Sequence, residues 1–112
     1  MNDCIFCKLV AGEIPSSKVY EDEEVLVFDD IHPFARVHML IIPKAHIASL
    51  ADCGPEHEKI LGKMLALAPR LAKEKGLASG FKTLINTGRG GGQEVMHIHI
   101  HVFGGGDPAP RH

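Results

Sequence analysis

His97-Ile98-His99-Ile100-His101 is the stretch of sequence that decides the fold. Successive side chains of a β-strand point to opposite faces, so this alternation predicts a strand with three imidazoles on one face. Ile98, Ile100 and Val102 would then line the opposite, buried face. We therefore expect a strand over Val95 to Phe103 that has apolar side chains on its core face and titratable nitrogens on the other.

Outward from this strand, the chain predicts two helices and four further strands. A short helix over Ile5 to Val10 is followed by chain-breaking residues, and a long helix starts near Pro55 and is capped by Gly76. Pro69, inside the long helix, is expected to kink or loosen it. The other predicted strands cover Lys18 to Glu21, Val25 to Asp29, Val37 to Pro43 and Phe81 to Asn86.

The short connections between these strands favour antiparallel pairing, because a parallel pair needs a long crossover. The fold class expected is therefore α+β, with a five-stranded antiparallel sheet and one short and one long helix. The 112 residues suffice for one domain, over residues 1–112.

Composition excludes several functional classes. The net charge of −2 leaves no basic stripe for a nucleic-acid backbone, and no apolar run is long enough to span a bilayer. The start, Met1 to Cys4, does not resemble a signal peptide, and three cysteines argue against a disulfide framework. We expect a cytoplasmic protein that binds neither nucleic acid nor membrane.

The histidine row has the chemistry of a nucleophilic site. Neutral imidazole is a good nucleophile near neutral pH. The preceding loop, Gly88 to Gly92, contains four glycines, whose backbone N–H groups can approach an anion closely. Together these features indicate phosphoryl or nucleotidyl transfer.

Two other interpretations of the row stay open at this point. It could be the polar face of an edge strand with no chemistry. It could also be a metal site, because two histidines at i and i+2 can share an ion with a carboxylate such as Glu94.

The whole chain resembles one family. The form His-φ-His-φ-His-φ-φ, where φ is apolar, resembles the signature of the histidine triad (HIT) family of nucleotide hydrolases and transferases. Gly104-Gly105 resembles its Hint branch, the nucleoside phosphoramidases. The segments that carry the resemblance are Ile5 to Lys8, Glu13 to Pro15, Phe28 to Ile31, His38 to His46, Asn86, Gly91 to Gln93 and His97 to Phe103.

The resemblance implies a reaction and an assembly. His99 would attack the α-phosphorus of a purine nucleoside 5′-phosphoramidate and form a nucleotidyl-histidine, which water would hydrolyse to the nucleoside monophosphate. His101, and more distantly His38 and His97, would orient His99 and contact phosphate oxygens. No cofactor is required for this chemistry. Two copies would join their sheets into a ten-stranded homodimer.

The resemblance also implies which residues bind the nucleotide. Asp30 would accept hydrogen bonds from both ribose hydroxyls, and backbone N–H groups near Gln93 and Glu94 would stabilise the phosphate charge. Glu94 stands where many Hint proteins have serine, and the tail lacks a tryptophan found in well-known members. The other expected nucleotide contacts are Ile5, Phe6, Leu9, Phe28, Ile31 and Leu40 around the base, with Asn86, Gly92 and Val95.

Cys4 and Cys7 form a C-x-x-C pair. One such pair is weak evidence for zinc, because a tetrahedral site needs two further ligands. Some bacterial HIT proteins bind structural zinc with a similar pair and two histidines. The resemblance therefore implies His46 and His97 as the other two ligands of a structural zinc.

Alternative functions from other classes also remain. One is a diadenosine polyphosphate hydrolase or nucleotidyl transferase of the same superfamily. Another is a nucleotide-binding regulatory module with weak catalysis. The last is a metal-dependent, oxygenase-like use of the His-x-His pair.

Overall fold

The computed structural model describes residues 3–105, and their five strands form one antiparallel sheet with the order β1-β2-β3-β5-β4. This confirms the predicted fold class. The helices are α1 (Ile5–Val10) and α2 (Glu58–Glu74), and the strands are β1 (Lys18–Glu21), β2 (Val25–Asp29), β3 (Val37–Pro43), β4 (Lys82–Leu84) and β5 (Ile100–Gly104). The bounds of α1 and of β1 to β3 are those expected from the sequence.

The sheet separates two apolar clusters, one under each helix. Strands β2 and β3 are buried on both faces, so alternate residues contribute to different clusters. The cluster under α2 contains Val25, Val27, Met39 and Ile41, with Ile100 and Val102 of β5. The cluster under α1 contains Phe6, Leu9, Leu26, Phe28, Leu40 and Ile42. One face of the sheet thus forms a core with α2, and the opposite face is covered by α1.

Helix α2 begins after a 3₁₀ turn over Pro55–His57, and its apolar stripe packs on the sheet. Pro69 lies on its exposed side, and the helix continues through it. Gly76 has a φ of +88°, and the N–H groups of Gly76 and Leu77 bond back to Lys73 and Ala72. This is a Schellman C-cap, which requires a residue that tolerates left-handed backbone. Within residues 3–105, neither helix is long and apolar enough to cross a membrane.

The last two strands are shorter than expected, and this moves two of the three histidines out of β5. Ladder pairing starts only at Ile100, which is opposite Ile41. Before it, the N–H of Ile98 donates to the carbonyl of Ile47, and the N–H of His97 donates to Val95. The expected strand start at Val95 is therefore wrong, because this segment has no neighbouring strand. Likewise β4 is confined to Lys82–Leu84, which pair with β5.

Candidate active site

A cavity of about 510 Å³ lies on the α1 side of the sheet. It is walled by α1, the ends of β2 and β3, the turn after β2 and the segment that leads into β5. Most of the residues expected from the sequence meet here. They are Ile5, Phe6, Leu9, Phe28, Asp30, Ile31, His38, Leu40, Asn86, Gly92, Glu94, Val95, His99 and His101.

One end of the cavity is apolar. The rings of Phe6 and Phe28 pack edge-to-face with centroids 5.6 Å apart, and Leu9 and Leu40 are buried beside them. Ile31 is 84% exposed, so it lies at the rim and is not an enclosing wall. A planar heterocycle fits this end, because flat apolar surfaces and aromatic edges recognise its faces.

His99 stands beside this apolar end with a defined tautomer. Its Nδ1 lies 2.7 Å from the backbone carbonyl oxygen of His97. A carbonyl oxygen can only accept a hydrogen bond, so Nδ1 carries the proton and Nε2 keeps a lone pair. The ring also packs edge-to-face on Phe6, with centroids 5.1 Å apart. His99 is therefore held with its Nε2 available as a nucleophile.

A second chain of hydrogen bonds orients His101. The backbone N–H of Phe34 donates to Nδ1 of His38 at 3.3 Å, so the proton of His38 is on Nε2. That Nε2 lies 2.8 Å from Nδ1 of His101. Nδ1 of His101 must then accept the hydrogen bond from His38, so the proton of the His101 ring is on Nε2. The ring centroids of His99 and His101 are 5.0 Å apart, and both residues line the same cavity.

Burial favours the neutral forms of His101 and His38. The pKa of His101 falls to about 4, because the ring is buried and, to a smaller extent, because His99 and His38 are close, while Asp30 opposes the shift. Burial also lowers the pKa of His38, again against the attraction of Asp30. The hydrogen bonds of His38 and His101 also require each ring to carry a single proton, so burial and geometry agree.

Asp30 is fixed at the end of β2. Its Oδ1 accepts a hydrogen bond from the N–H of His32 at 2.8 Å, and its Oδ2 lies 3.6 Å from Nε2 of His38. The carboxylate lines the cavity beside the histidine pair. It can accept hydrogen bonds from paired hydroxyl groups of a ligand.

Asp30, His38 and His101 also place three donor atoms within 4.8 Å of one another. The short His38–His101 contact is a hydrogen bond with a proton between the rings. Two nitrogens that share a tetrahedral zinc would be about 3.3 Å apart, which is wider than this contact.

Gln93 holds the glycine-rich loop and is not among the residues that line the cavity. Its N–H donates to the carbonyl of Gly88, and its Oε1 accepts from the N–H of Gly88. Its Nε2 donates to the carbonyls of Ala48 and Val95. Because the N–H of Gln93 is already bonded to Gly88, a phosphate contact from this segment would use neighbouring backbone N–H groups, and that contact stays a prediction. Asn86 does line the cavity, and its Nδ2 donates to Gly91.

The expectation of three imidazoles in one row is wrong for His97. This side chain is fully buried and is absent from the cavity wall. Its Nε2 donates to the carbonyl of Pro43 at 2.8 Å. Its Nδ1 lies 3.3 Å from Sγ of Cys4 and 3.5 Å from Sγ of Cys7. The side chain can turn to these thiols because the chain has not yet entered β5.

The four residues Cys4, Cys7, His46 and His97, here termed the thiol cluster, place their ligand atoms within 4.8 Å of one another. Sγ of Cys7 lies 3.3 Å from Nδ1 of His46. Zinc at about 2.3 Å from sulfur and about 2.05 Å from nitrogen gives a tetrahedral S–N edge of about 3.6 Å. The hydrogen bond to Pro43 also leaves the Nδ1 lone pair of His97 free for a metal. The donors therefore fit zinc, and none of the three cysteines forms a disulfide.

Six residues that line the cavity were not among the expected contacts, namely Ile14, Pro15, Ser16, Asp29, His32 and Phe34. Of these, Ser16, His32 and Phe34 lie outside the quoted motifs. Phe34 comes four residues before His38 in the turn between β2 and β3, and this spacing carries no recognisable sequence signal.

Comparisons with known proteins agree with this geometry. The HIT domain model matches residues 11–107. The protein HitA of Neisseria gonorrhoeae is 59% identical over 104 residues, which cover 93% of this chain and 97% of that protein. The purine nucleoside phosphoramidase of Escherichia coli K12 is 46% identical over 104 residues, which cover 92% and 87%.

Two further matches bear on the metal and the fold. A 14 kDa zinc-binding protein of Zea mays is 48% identical over 103 residues, which cover 90% of this chain and 80% of that protein. A HIT family hydrolase from Legionella pneumophila superposes with a TM-score of 0.91 at 45% identity, covering 94% of this chain and 95% of that one.

Proposed function

The chain belongs to the HIT family, and on that premise we propose that it hydrolyses purine nucleoside 5′-phosphoramidates to the nucleoside monophosphate and an amine. The observation that carries the proposal is the fixed tautomer of His99, which keeps the lone pair on Nε2 in a ring whose centroid lies 5.0 Å from that of His101. The phosphoramidase of Escherichia coli, at 46% identity, supports the choice of substrate class.

Two displacements complete the reaction. Nε2 of His99 attacks the α-phosphorus, the phosphorus–nitrogen bond breaks, and the leaving amine takes a proton from His101. The anionic phosphate of the bound substrate raises the pKa of His101, so that this ring takes a second proton from solvent at Nδ1 and is cationic when it donates from Nε2. His38 then accepts at Nε2 and gives up its long hydrogen bond from Phe34. Water then attacks phosphorus and displaces His99. One proton of that water goes to His101 and replaces the proton that left with the amine. Covalent catalysis of this kind divides one difficult step into two easier ones.

The remaining cavity residues bind the nucleotide in this proposal. The carboxylate of Asp30 accepts from the ribose hydroxyls. Backbone and amide groups of the loop before β5 contact the phosphate, with Gln93 as a positioning residue. Glu94 is exposed at the cavity wall, where a carboxylate can turn away from a phosphate. The base lies among Ile5, Phe6, Leu9, Phe28 and Leu40, with Ile31 at the rim.

The proposal is tested by trapping the intermediate. Rapid quenching of the protein with adenosine 5′-phosphoramidate, without added metal, should give an intact-mass increase of one adenylyl group, mapped to His99. His99→Ala should lower kcat/KM by about 10³-fold or more while the circular dichroism spectrum stays the same. His57→Ala, outside the cavity, serves as the control. Full activity of His99→Ala would refute the assignment, and faster turnover of a diadenosine polyphosphate would change the substrate class.

We also propose that the thiol cluster binds a structural zinc ion. Cys4 directly precedes α1, which supplies Ile5 and Phe6 to the cavity, whereas His46 and His97 lie in segments that flank the sheet. A metal there would tie α1 to the sheet and supply stability, with no part in the reaction. The name of the maize relative agrees with such a role.

The edge of the sheet at β4 suggests how two copies associate. All three residues of β4 are exposed, and its outer edge has no strand partner among the described residues. Phe81, beside the strand, and Leu84, at its end, are 37% and 40% exposed. We propose that a second copy pairs at this edge into a ten-stranded sheet, because an open edge favours strand addition. Light scattering that gives twice the chain mass would agree, and a monomer mass would refute it.

A further inference from the structure

Phe34 is an exposed aromatic ring that the proposed reaction leaves without a role. It is 56% exposed, although it lies at the wall of the cavity. One side of the ring is fixed by neighbours. Its centroid lies 4.0 Å from that of His38 and 4.6 Å from that of Phe103. The ring is therefore held in place while much of its surface stays open to solvent.

The position of the ring separates it from the apolar end of the cavity. Phe6 packs on His99, whereas Phe34 lies 5.8 Å from the ring of His101 and belongs to the other side of the histidine pair. The nucleotide base is proposed to occupy the Phe6 side. The leaving amine takes its proton from His101, so it departs from phosphorus next to Phe34.

We propose that Phe34 is the platform for the leaving group and that the protein prefers phosphoramidates of amines that carry an aromatic ring. This inference rests on the proposed phosphoramidase function. An aromatic ring on the amine would cover the exposed face of Phe34 in an offset or edge-to-face arrangement, which adds attraction beyond simple burial. A small aliphatic amine would leave that face in water.

The test compares two substrates that differ only in the amine. They are the adenosine 5′-phosphoramidates of 2-phenylethylamine and of methylamine. For each protein, kcat/KM is measured with both, and the ratio of the two values is taken. The unequal basicity of the amines cancels when the ratio for a variant is divided by the ratio for the unaltered protein. Phe34→Leu removes the ring and keeps apolar bulk, and Phe34→Tyr keeps the ring.

We expect Phe34→Leu to lower the preference for the phenylethyl substrate by about fivefold, and Phe34→Tyr to preserve it. Phe103→Leu is the matched control, because Phe103 belongs to the same ring cluster but is not among the residues that line the cavity. It should change the preference less than about twofold. The inhibition constant of AMP, which has no amine, should be the same in Phe34→Leu and in the unaltered protein.

Three outcomes would overturn the inference. An unchanged preference in Phe34→Leu would show that the ring does not contact the leaving group. A loss of AMP affinity as large as the loss of preference would place Phe34 against the nucleotide. A change in oligomeric mass of Phe34→Leu with an unchanged preference would make the ring an interface residue. If the unaltered protein hydrolyses neither substrate, the proposed function fails first and the inference fails with it.

Discussion

The backbone carbonyl oxygen of His97 lies 2.7 Å from Nδ1 of His99 and holds the proton on that nitrogen. The side chain of His97 points away into the thiol cluster. A hydrogen bond thus links the ring of His99 to the backbone of His97. The orientation of His99 depends on the path of the chain at His97, which the cluster and Pro43 fix.

The first prediction concerns the tautomer of His99. Nitrogen-15 NMR of the ligand-free protein at pH 7 should show His99 protonated at Nδ1 and unprotonated at Nε2. The phosphorus bond of the trapped intermediate should correspondingly be at Nε2. A ring protonated at Nε2 would contradict the hydrogen bond to His97 and remove the nucleophile from its proposed position.

The second prediction concerns the thiol cluster. Purified protein should contain about one zinc ion per chain, measured by elemental analysis, because four nitrogen and sulfur ligands suffice for a closed tetrahedral site. Cys4→Ala should lose the metal and lower the melting temperature, since structural zinc contributes directly to folding. Cys53→Ala is the control, because Cys53 lies outside the cluster and contacts the carbonyl of Ser49. A zinc content near zero in the unaltered protein would refute the site.

The third prediction concerns stability below neutral pH. The pKa of His101 is about 4 in the folded chain, below the usual 6.5, because the ring is buried near His99 and His38, against the attraction of Asp30. Between these two values the unfolded chain binds more protons than the folded one, so stability falls as the pH is lowered. The stabilising effect is complete above about pH 6.5.

Denaturation curves at pH 7.5 and pH 5 provide the measurement. The unaltered protein should melt at a lower temperature at pH 5, and His101→Gln should show a smaller drop. Substitution of the exposed His32 by Asn should leave the drop as it is. An equal drop in His101→Gln would mean that other groups carry the effect.

The fourth prediction concerns Gln93. Its amide satisfies the N–H of Gly88 and the carbonyls of Ala48 and Val95. Gln93→Ala leaves these groups without their partner, which should lower the free energy of unfolding by about 1–3 kcal/mol. Glu94→Gln, at the exposed neighbouring position, should change it by less than about 0.5 kcal/mol. Urea denaturation measures both, and equal values would show that the amide does not support the loop.

The sheet was largely predictable because β2 and β3 are apolar runs with clear polar boundaries. The bounds of Val25–Asp29 and Val37–Pro43 follow from the apolar runs and the residues that flank them. The start of β5 was not predictable, since it depends on where β3 and β4 end opposite it. The alternation of His97 to His101 looks the same whether or not a neighbouring strand is present.

The candidate site was predictable where spacing implies geometry. His99 and His101 reach one cavity as their spacing predicts, and Asp30 joins them as the family resemblance implies. The separation of His97 from them does not follow from the strand pattern, which gives no information on thiols from another part of the chain. Only the family resemblance placed His97 with Cys4 and Cys7. Phe34 was missed for a related reason, since a turn brings it over His38 without any periodic signal.

The alternation of β2 and β3 between two apolar clusters has a consequence for the evolution of this protein. Even-numbered positions such as Leu26, Phe28 and Leu40 belong to the α1-side cluster, whereas odd-numbered positions such as Val27 and Ile41 support the long helix. Selection can therefore reshape ligand preference at even positions while the odd positions preserve folding. New specificity can arise at alternate residues of a strand while the residues between them keep the fold.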